Sequence, residues 1–151
     1  MKSLAAAIFL AAVPGLMASP GKSQPSPLDW NPAAESPRSR AIEIAGAGEG
    51  TGYIARDGYW LGTLEKQKPV LVAVDLFAGN SYRFSAAALD PSVRLRVSVF
   101  DGDGQPAGSE SMLDSPGATA SVTPVRNGRF FVRLLMTEGD KAETCMVYFF
   151  K

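Results

Sequence analysis

Three groups of residues have types and spacings that could do chemistry. Asp101-Gly102-Asp103-Gly104 places two carboxylates one residue apart, as calcium loops begin. Arg83, Arg94, Arg96 and Arg133 fall on the polar positions of alternating segments, where guanidinium groups could hold carboxylates or sulfates bidentately. Tyr53, Tyr59 and Trp60 cluster around Arg56-Asp57-Gly58, and such rings can stack on a sugar or anchor a partner.

Each group also has a plainer role. An EF-type loop needs oxygen ligands at alternating positions and a bidentate acid at its twelfth. Counted from Asp101 the twelfth residue is Met112; counted from Asp103 it is Asp114, but the fifth is Ala107, which has no side-chain oxygen. Asp and Gly tolerate the left-handed conformations of a tight hairpin turn, so this segment reads as a turn, with Asp101 and Asp103 only weak metal candidates. Arginines on an exposed sheet face are solvated and suppress edge-to-edge aggregation, which is their first reading here. Tyr59 and Trp60 are adjacent, so in a strand one belongs to the core and the other faces outward.

Much chemistry is excluded by composition. The chain has no His, which removes the commonest general base and metal ligand. It has no G-x-S-x-G elbow, no H-E-x-x-H and no Walker loop. Asp75 and Asp90 read as ordinary strand and turn residues, so catalysis and a cofactor are not expected. Lys+Arg and Asp+Glu are both 15, which leaves no net field to draw nucleic acid.

The elements that must position these residues follow a period of two. Val70, Val72, Val74 and Leu76 share one face; so do Val93, Leu95, Val97 and Val99, with Arg94, Arg96 and Ser98 opposite; and Phe130, Val132, Leu134 and Met136 alternate with Arg129, Phe131, Arg133 and Leu135. Strands with one buried face require this alternation. Turn signals at 78–80, 90–91, 101–104, 115–117, 126–128 and 138–140 separate the runs. About eight strands follow, near 59–64, 69–77, 81–88, 93–100, 106–113, 118–124, 129–137 and 142–150, at the spacing of an all-β sandwich. The last, Ala142 to Phe150, is apolar on both sides near its end and must pair centrally or be covered. Cys145, the lone cysteine, reads as a small core hydrophobe within it.

Before these strands the pattern differs. Lys2 followed by the apolar run Leu4 to Val13 is too short to span a bilayer comfortably, where about 20 residues are needed. With Pro14-Gly15 and Ala18 after it, residues 1–18 read as a signal peptide that leaves no membrane anchor once cleaved. Residues 19–52 read as a Pro/Gly-rich linker: five prolines from Pro20 to Pro37 work against helix and sheet, Ala41 to Ala45 is expected as a possible short strand, and Trp30 could pin the segment to a domain or partner.

From Tyr53 to Lys151 the chain resembles the bacterial pre-peptidase C-terminal (PPC) domain. The resemblance is carried by Leu61-Gly62-Thr63-Leu64, by Leu76-Phe-Ala-Gly-Asn-Ser-Tyr82, by the strand ending in Asp101-Gly-Asp-Gly104, and by Gly128-Arg-Phe-Phe-Val-Arg-Leu-Leu135 with Phe130 where Tyr is usual. Some members carry acidic pairs after the third motif, whereas Gln105 to Ser111 holds only Glu110. The resemblance implies an antiparallel, jelly-roll-like β-sandwich that is a non-catalytic appendage of exported enzymes. The function expected is therefore a secreted or periplasmic binding or accessory module for an extracellular polysaccharide or an exported protein; the alternative is a structural envelope or matrix protein. The candidate binding residues are Tyr59, Trp60, Arg83, Arg94, Arg96 and Arg133. Expression in a bacterial host should yield a processed chain beginning at Ser19, read by intact mass and N-terminal sequencing; a mature protein retaining Met1 to Ala18 would contradict the leader assignment.

Overall fold

The alternating runs fold as strands because side chains of a strand point to opposite faces at each step, so one face can be buried while the other stays polar. A computed structural model describes residues 35–46, 52–112 and 116–151. The expected signal peptide, Trp30 and most of the expected linker lie outside the described residues. The strands are β1 (Ile54–Ala55), β2 (Trp60–Glu65), β3 (Val70–Leu76), β4 (Tyr82–Ala88), β5 (Arg94–Phe100), β6 (Pro106–Ala107), β7 (Ser109–Met112), β8 (Gly117–Val122), β9 (Gly128–Glu138) and β10 (Lys141–Phe150). Among the described residues no helix is long and apolar enough to cross a membrane.

Two antiparallel sheets pack face to face. Sheet A runs β10–β4–β8–β7, with β1 and β2 following one another along the other side of β10; sheet B runs β3–β9–β5–β6. Successive strands alternate between the sheets from β2 to β5 and again from β8 to β10, while β5 and β6 form a hairpin within sheet B; this is the double Greek key of a jelly roll. The core between them is made by the inward faces: Leu64, Leu76, Tyr82, Phe84, Val97, Val99, Val132, Leu134, Met136 and Met146 are fully buried or nearly so. Phe84 stacks on Tyr148 with ring centroids 5.3 Å apart, and the buried phenol of Tyr82 accepts the N–H of Phe77 at 3.0 Å. That bond closes the β3–β4 turn over the core and satisfies the one polar atom of an otherwise apolar ring.

The segment expected as one strand, 106–113, is two. Pro106–Ala107 pairs with β5 in sheet B, whereas Ser109–Met112 pairs with β8 in sheet A. The chain changes sheets at Gly108, which has φ 74, and a Cβ there would lie 2.0 Å from the Ser121 carbonyl oxygen. Both the left-handed backbone and the close approach require glycine.

The segment Ala41 to Ala45, expected as a short strand, is helical: α1 spans Pro37–Ile44. Local chemistry explains the difference. Ser36 is an extended N-cap whose Oγ accepts the Ser39 N–H at 3.1 Å, and Ser39 Oγ accepts the Ser36 N–H at 2.9 Å. Pro37 takes the first helical position, where its missing N–H would have no partner anyway. Gly46 stops the helix at φ 63. The apolar alternation Ala41, Ile42, Ile44, Ala45 fits one side of two helical turns as well as a strand.

Helix α1 lies on the outer face of sheet A. Ala41 and Ala45 bury against Ala87, Cys145, Val147 and Phe149, a second apolar layer. The approach is close because the sheet offers small residues, and a Cβ on Gly117 would meet Ile44 Cδ1 at 2.3 Å. Strands β4 and β10 are thus buried on both faces, and the expected central placement of the last strand is what the fold shows. The folded unit accordingly begins before Tyr53. Gly108→Ala should lower stability by about 2 kcal/mol or more, combining overpacking with a disfavoured φ; urea unfolding that leaves the midpoint unchanged would mean that the sheet crossover is not tightly constrained there.

Candidate functional site

The two outer faces of the sandwich differ in what covers them. The outward residues of sheet A carry α1. The outward residues of sheet B carry no helix or strand among the described residues, and they are unlike an ordinary solvated sheet face. Register places Leu71, Arg133 and Ser98 in one cross-strand row, Ala73, Phe131 and Phe100 in the next, and Asp75 beside Arg129 in the third. Leu71 is 61% exposed; Phe100, Phe131, Arg133 and Leu135 are half-buried by one another. The face is therefore an aromatic and aliphatic strip laced with arginines.

Its polar centre is built around Ser98. Arg96 Nε donates to Glu110 Oε2 at 2.8 Å, so the carboxylate reaches over from β7 to the edge of sheet B. Arg133 Nη2 donates to Ser98 Oγ at 3.4 Å, and its guanidinium lies over the Phe100 ring, 4.9 Å from the centroid. Arg133 Nε is buried and finds no acceptor among the described residues. The Ser98 hydroxyl, donating to Glu110, together with Arg96 and the field of Arg133, holds the Glu110 carboxyl below its ordinary range against the opposing effect of partial burial. At the far end of the strip Arg129 forks onto both oxygens of Asp75, at 3.1 and 3.3 Å, and this ion pair holds the Asp75 carboxyl low.

Only two of the six sequence candidates come together here, Arg96 and Arg133. Arg83 does not join them, because β4 belongs to sheet A: its Nη1 donates to the Ala45 carbonyl at 2.9 Å, and its guanidinium covers the Tyr53 ring at 4.5 Å. A cation at the C-terminus of α1 satisfies an orphan carbonyl and the negative end of the helix dipole, so Arg83 fastens the helix to the sheet. Arg94 shares the outward side of β5 but lies beside a register shift, and its Nη1 donates to the Pro91 and Val93 carbonyls at 2.9 Å, bracing the β4–β5 turn. The four-arginine patch considered from sequence is thus divided between two sheets and a turn.

Tyr59 and Trp60 face opposite ways, as adjacent strand positions require. Tyr59 is 52% exposed at the flank of sheet A, with the Arg38 guanidinium 4.8 Å from its ring centroid. Trp60 turns inward against the core, and its indole lies over Gly62, where a Cβ would meet it at 2.6 Å. The two rings form no joint platform. In the Asp101–Gly104 turn, Asp101 Oδ1 accepts the N–H groups of Asp103 and Gln105 at 3.0 and 2.9 Å, while Gly104 adopts φ 78. The first carboxylate of the pair considered as metal ligands is spent on shaping its own loop. Among the described residues no group of three or more His, Cys, Asp or Glu side chains could hold a metal ion. Cys145 is buried under α1, and desolvation foremost pushes its thiol up to about 11.

Phe100, Phe131, Leu71 and Glu110 were missed as site residues by sequence reasoning. The alternation Arg129, Phe131, Arg133, Leu135 was a usable signal, since an outward face carrying Phe and Leu between arginines is too apolar for a merely solvated one.

Fold and surface together define a jelly-roll β-sandwich with one self-covered face and one open, arginine-bearing face. No family model matches the chain, and no curated protein does. Among solved structures it is similar to PliG from Aeromonas hydrophila, a periplasmic lysozyme inhibitor of g-type lysozyme, with 9% identity and a TM-score of 0.46 over 69% of this chain and 92% of that one.

The Glu110 cluster makes a pH prediction. A carboxyl held below its unfolded value stabilises the fold above that unfolded value, near 4.5, and loses the contribution as pH falls through the lowered folded value. Glu110→Gln should therefore be less stable than the parent at pH 7 by up to about 1 kcal/mol, allowing for screening at this partly exposed site. The gap should close in acid below pH 4.5; a gap independent of pH would show that the ionised form gains nothing from Ser98 and Arg96.

Proposed function

We propose that this protein is an exported, non-catalytic binding module that takes an acidic protein partner on the outer face of sheet B. The observation that carries the reading is the asymmetry of the sandwich: its own helix covers one outer face, while the other keeps Leu71, Phe100 and Phe131 among Arg96, Arg129 and Arg133. Protein interfaces are enriched in aromatic residues and arginine, and their strongest contacts are desolvated arginine and aromatic anchors. Arg96 and Arg129 are in direct ion pairs, whereas among the described residues Arg133 donates to Ser98, covers the Phe100 ring and meets the Glu110 carboxylate only through its field. A partner carboxylate placed over Arg133 would supply a direct counter-charge in a setting already rigid at its base.

Two further features support a protein over a polysaccharide. Sugar stacking needs exposed, flat aromatic rings, but Trp60 faces the core and Phe100 lies beneath a guanidinium. Tyr59 stands alone on the opposite side of the molecule. The PPC resemblance and the leader-like N-terminus supply the exported and accessory part of the proposal.

The test is binding of the mature chain to fractionated exported proteins and, in parallel, to insoluble polysaccharides, with Kd measured on each purified binder. Arg133→Ala and Phe131→Ala should each weaken a protein complex at least about tenfold, equivalent to about 1.4 kcal/mol, with Tyr59→Ala neutral. Salt should weaken the parent complex and should have less effect on Arg133→Ala. Binding to polysaccharide instead, or loss confined to Tyr59→Ala, would overturn the reading.

A further inference from the structure

Sandwiches leave sheet edges, and an edge strand offers a row of unpaired backbone groups to any strand that approaches. Most edges of this fold are blunted. Strand β1 has two residues; β6 has two and starts with Pro106; β7 has four and carries Glu110; β2 is interrupted by Gly62 and ends in Glu65. Strand β3 is different. It has seven residues, VLVAVDL, without Pro, Gly or Lys, and pairs with β9 through all seven with no register shift. Among the described residues nothing pairs with its other side. Leu71, 61% exposed, projects from it.

We infer that β3 pairs antiparallel with β3 of a second copy of this chain, joining two four-stranded B sheets into one continuous sheet of eight strands. Self-pairing about a two-fold axis is isologous and closes at two copies. Charge and length together select its register. With the axis at Ala73, Val70 faces Leu76 of the other copy and all seven residues pair. Asp75 of one copy then stands opposite Leu71 of the other, whose neighbour on β9 is Arg133. The row reads Arg133, Leu71, then Asp75 and Arg129 of the second copy, so each carboxylate lies between arginines of both copies. An axis at Asp75 would set two carboxylates face to face. An axis at Leu71 would bring Ala73 opposite Pro69 and Asp75 opposite Gln67, which turns at φ 59 and cannot continue a ladder. The inference stands on the strand edge and does not depend on what binds the open face, although the pairing would double that face.

The experiment is sedimentation equilibrium of the mature chain from low-micromolar to near-millimolar concentration. A reversible monomer–dimer equilibrium is expected, since a seven-pair seam lies at the small end of specific interfaces. Ala73→Glu, at an exposed position, adds a facing pair of carboxylates and should raise the dimer dissociation constant at least tenfold, with the melting curve of the monomer unchanged. Ala73→Cys should give a covalent dimer with a short bismaleimide, while the parent, whose one thiol is the buried Cys145, gives none; this arm holds even if Ala73→Glu fails to fold. A monomer at every concentration, or a dimer that neither Ala73→Glu weakens nor Ala73→Cys cross-links, would overturn the inference.

Discussion

The fold depends on the pairing of β10 with β4, two strands that are apolar on both faces. Between Cys145 and Phe149 successive side chains enter opposite layers: Met146 goes to the core between the sheets, and Cys145, Val147 and Phe149 go outward. A half-buried sheet leaves one face in water, but here such exposure would leave a wide apolar strip uncovered at the centre of sheet A. Sheet B covers one side. Helix α1 covers the other, which is why a short segment with modest intrinsic helix preference is ordered at all: a helix of two turns is marginal alone and gains its stability from what it packs on.

Covering sheet A in this way determines where function can reside. Arg83, on the outward side of β4, becomes a fastening for the end of α1 and leaves the set of free cations. Ala87 and Gly117 are small where α1 packs close, and Gly117 leaves room for the Ile44 side chain. The outward side of sheet B has no such cover among the described residues, so its arginines and phenylalanines organise around one another. The buried hydroxyl of Ser98 serves as the junction between Arg133 and Glu110, and Glu110 reaches it because the chain crosses between sheets at Gly108. A glycine required by backbone geometry thereby places an acid at the edge of a face that its own sheet does not supply.

Much of this architecture was legible in the chain. The period-two runs and their turn residues located seven of the expected strands to within a residue or two, because alternation and turn chemistry are local properties. The two-sided apolarity of the last strand announced that it would be central. The helix was less legible, since Ala41 to Ala45 satisfies either period over so few residues and the proline-rich stretch around it concealed that Pro37 is well placed for a helix start. The break at Gly108 was hidden because a change of sheet leaves the alternation of a short run unaltered.

The sequence by itself determined the fold class, the inward and outward side of each strand, the opposite orientations of Tyr59 and Trp60, and the absence of histidine chemistry. Those follow from residue type and from the fixed alternation of a strand. Only the tertiary structure decided which outward residues share a surface. Arg83, Arg96 and Arg133 are equivalent in the one-dimensional pattern, yet the first lies under a helix and the other two lie on an open face. Which sheet a strand joins, and what packs over it, is set by contacts between residues far apart in the chain, and periodicity carries no record of them.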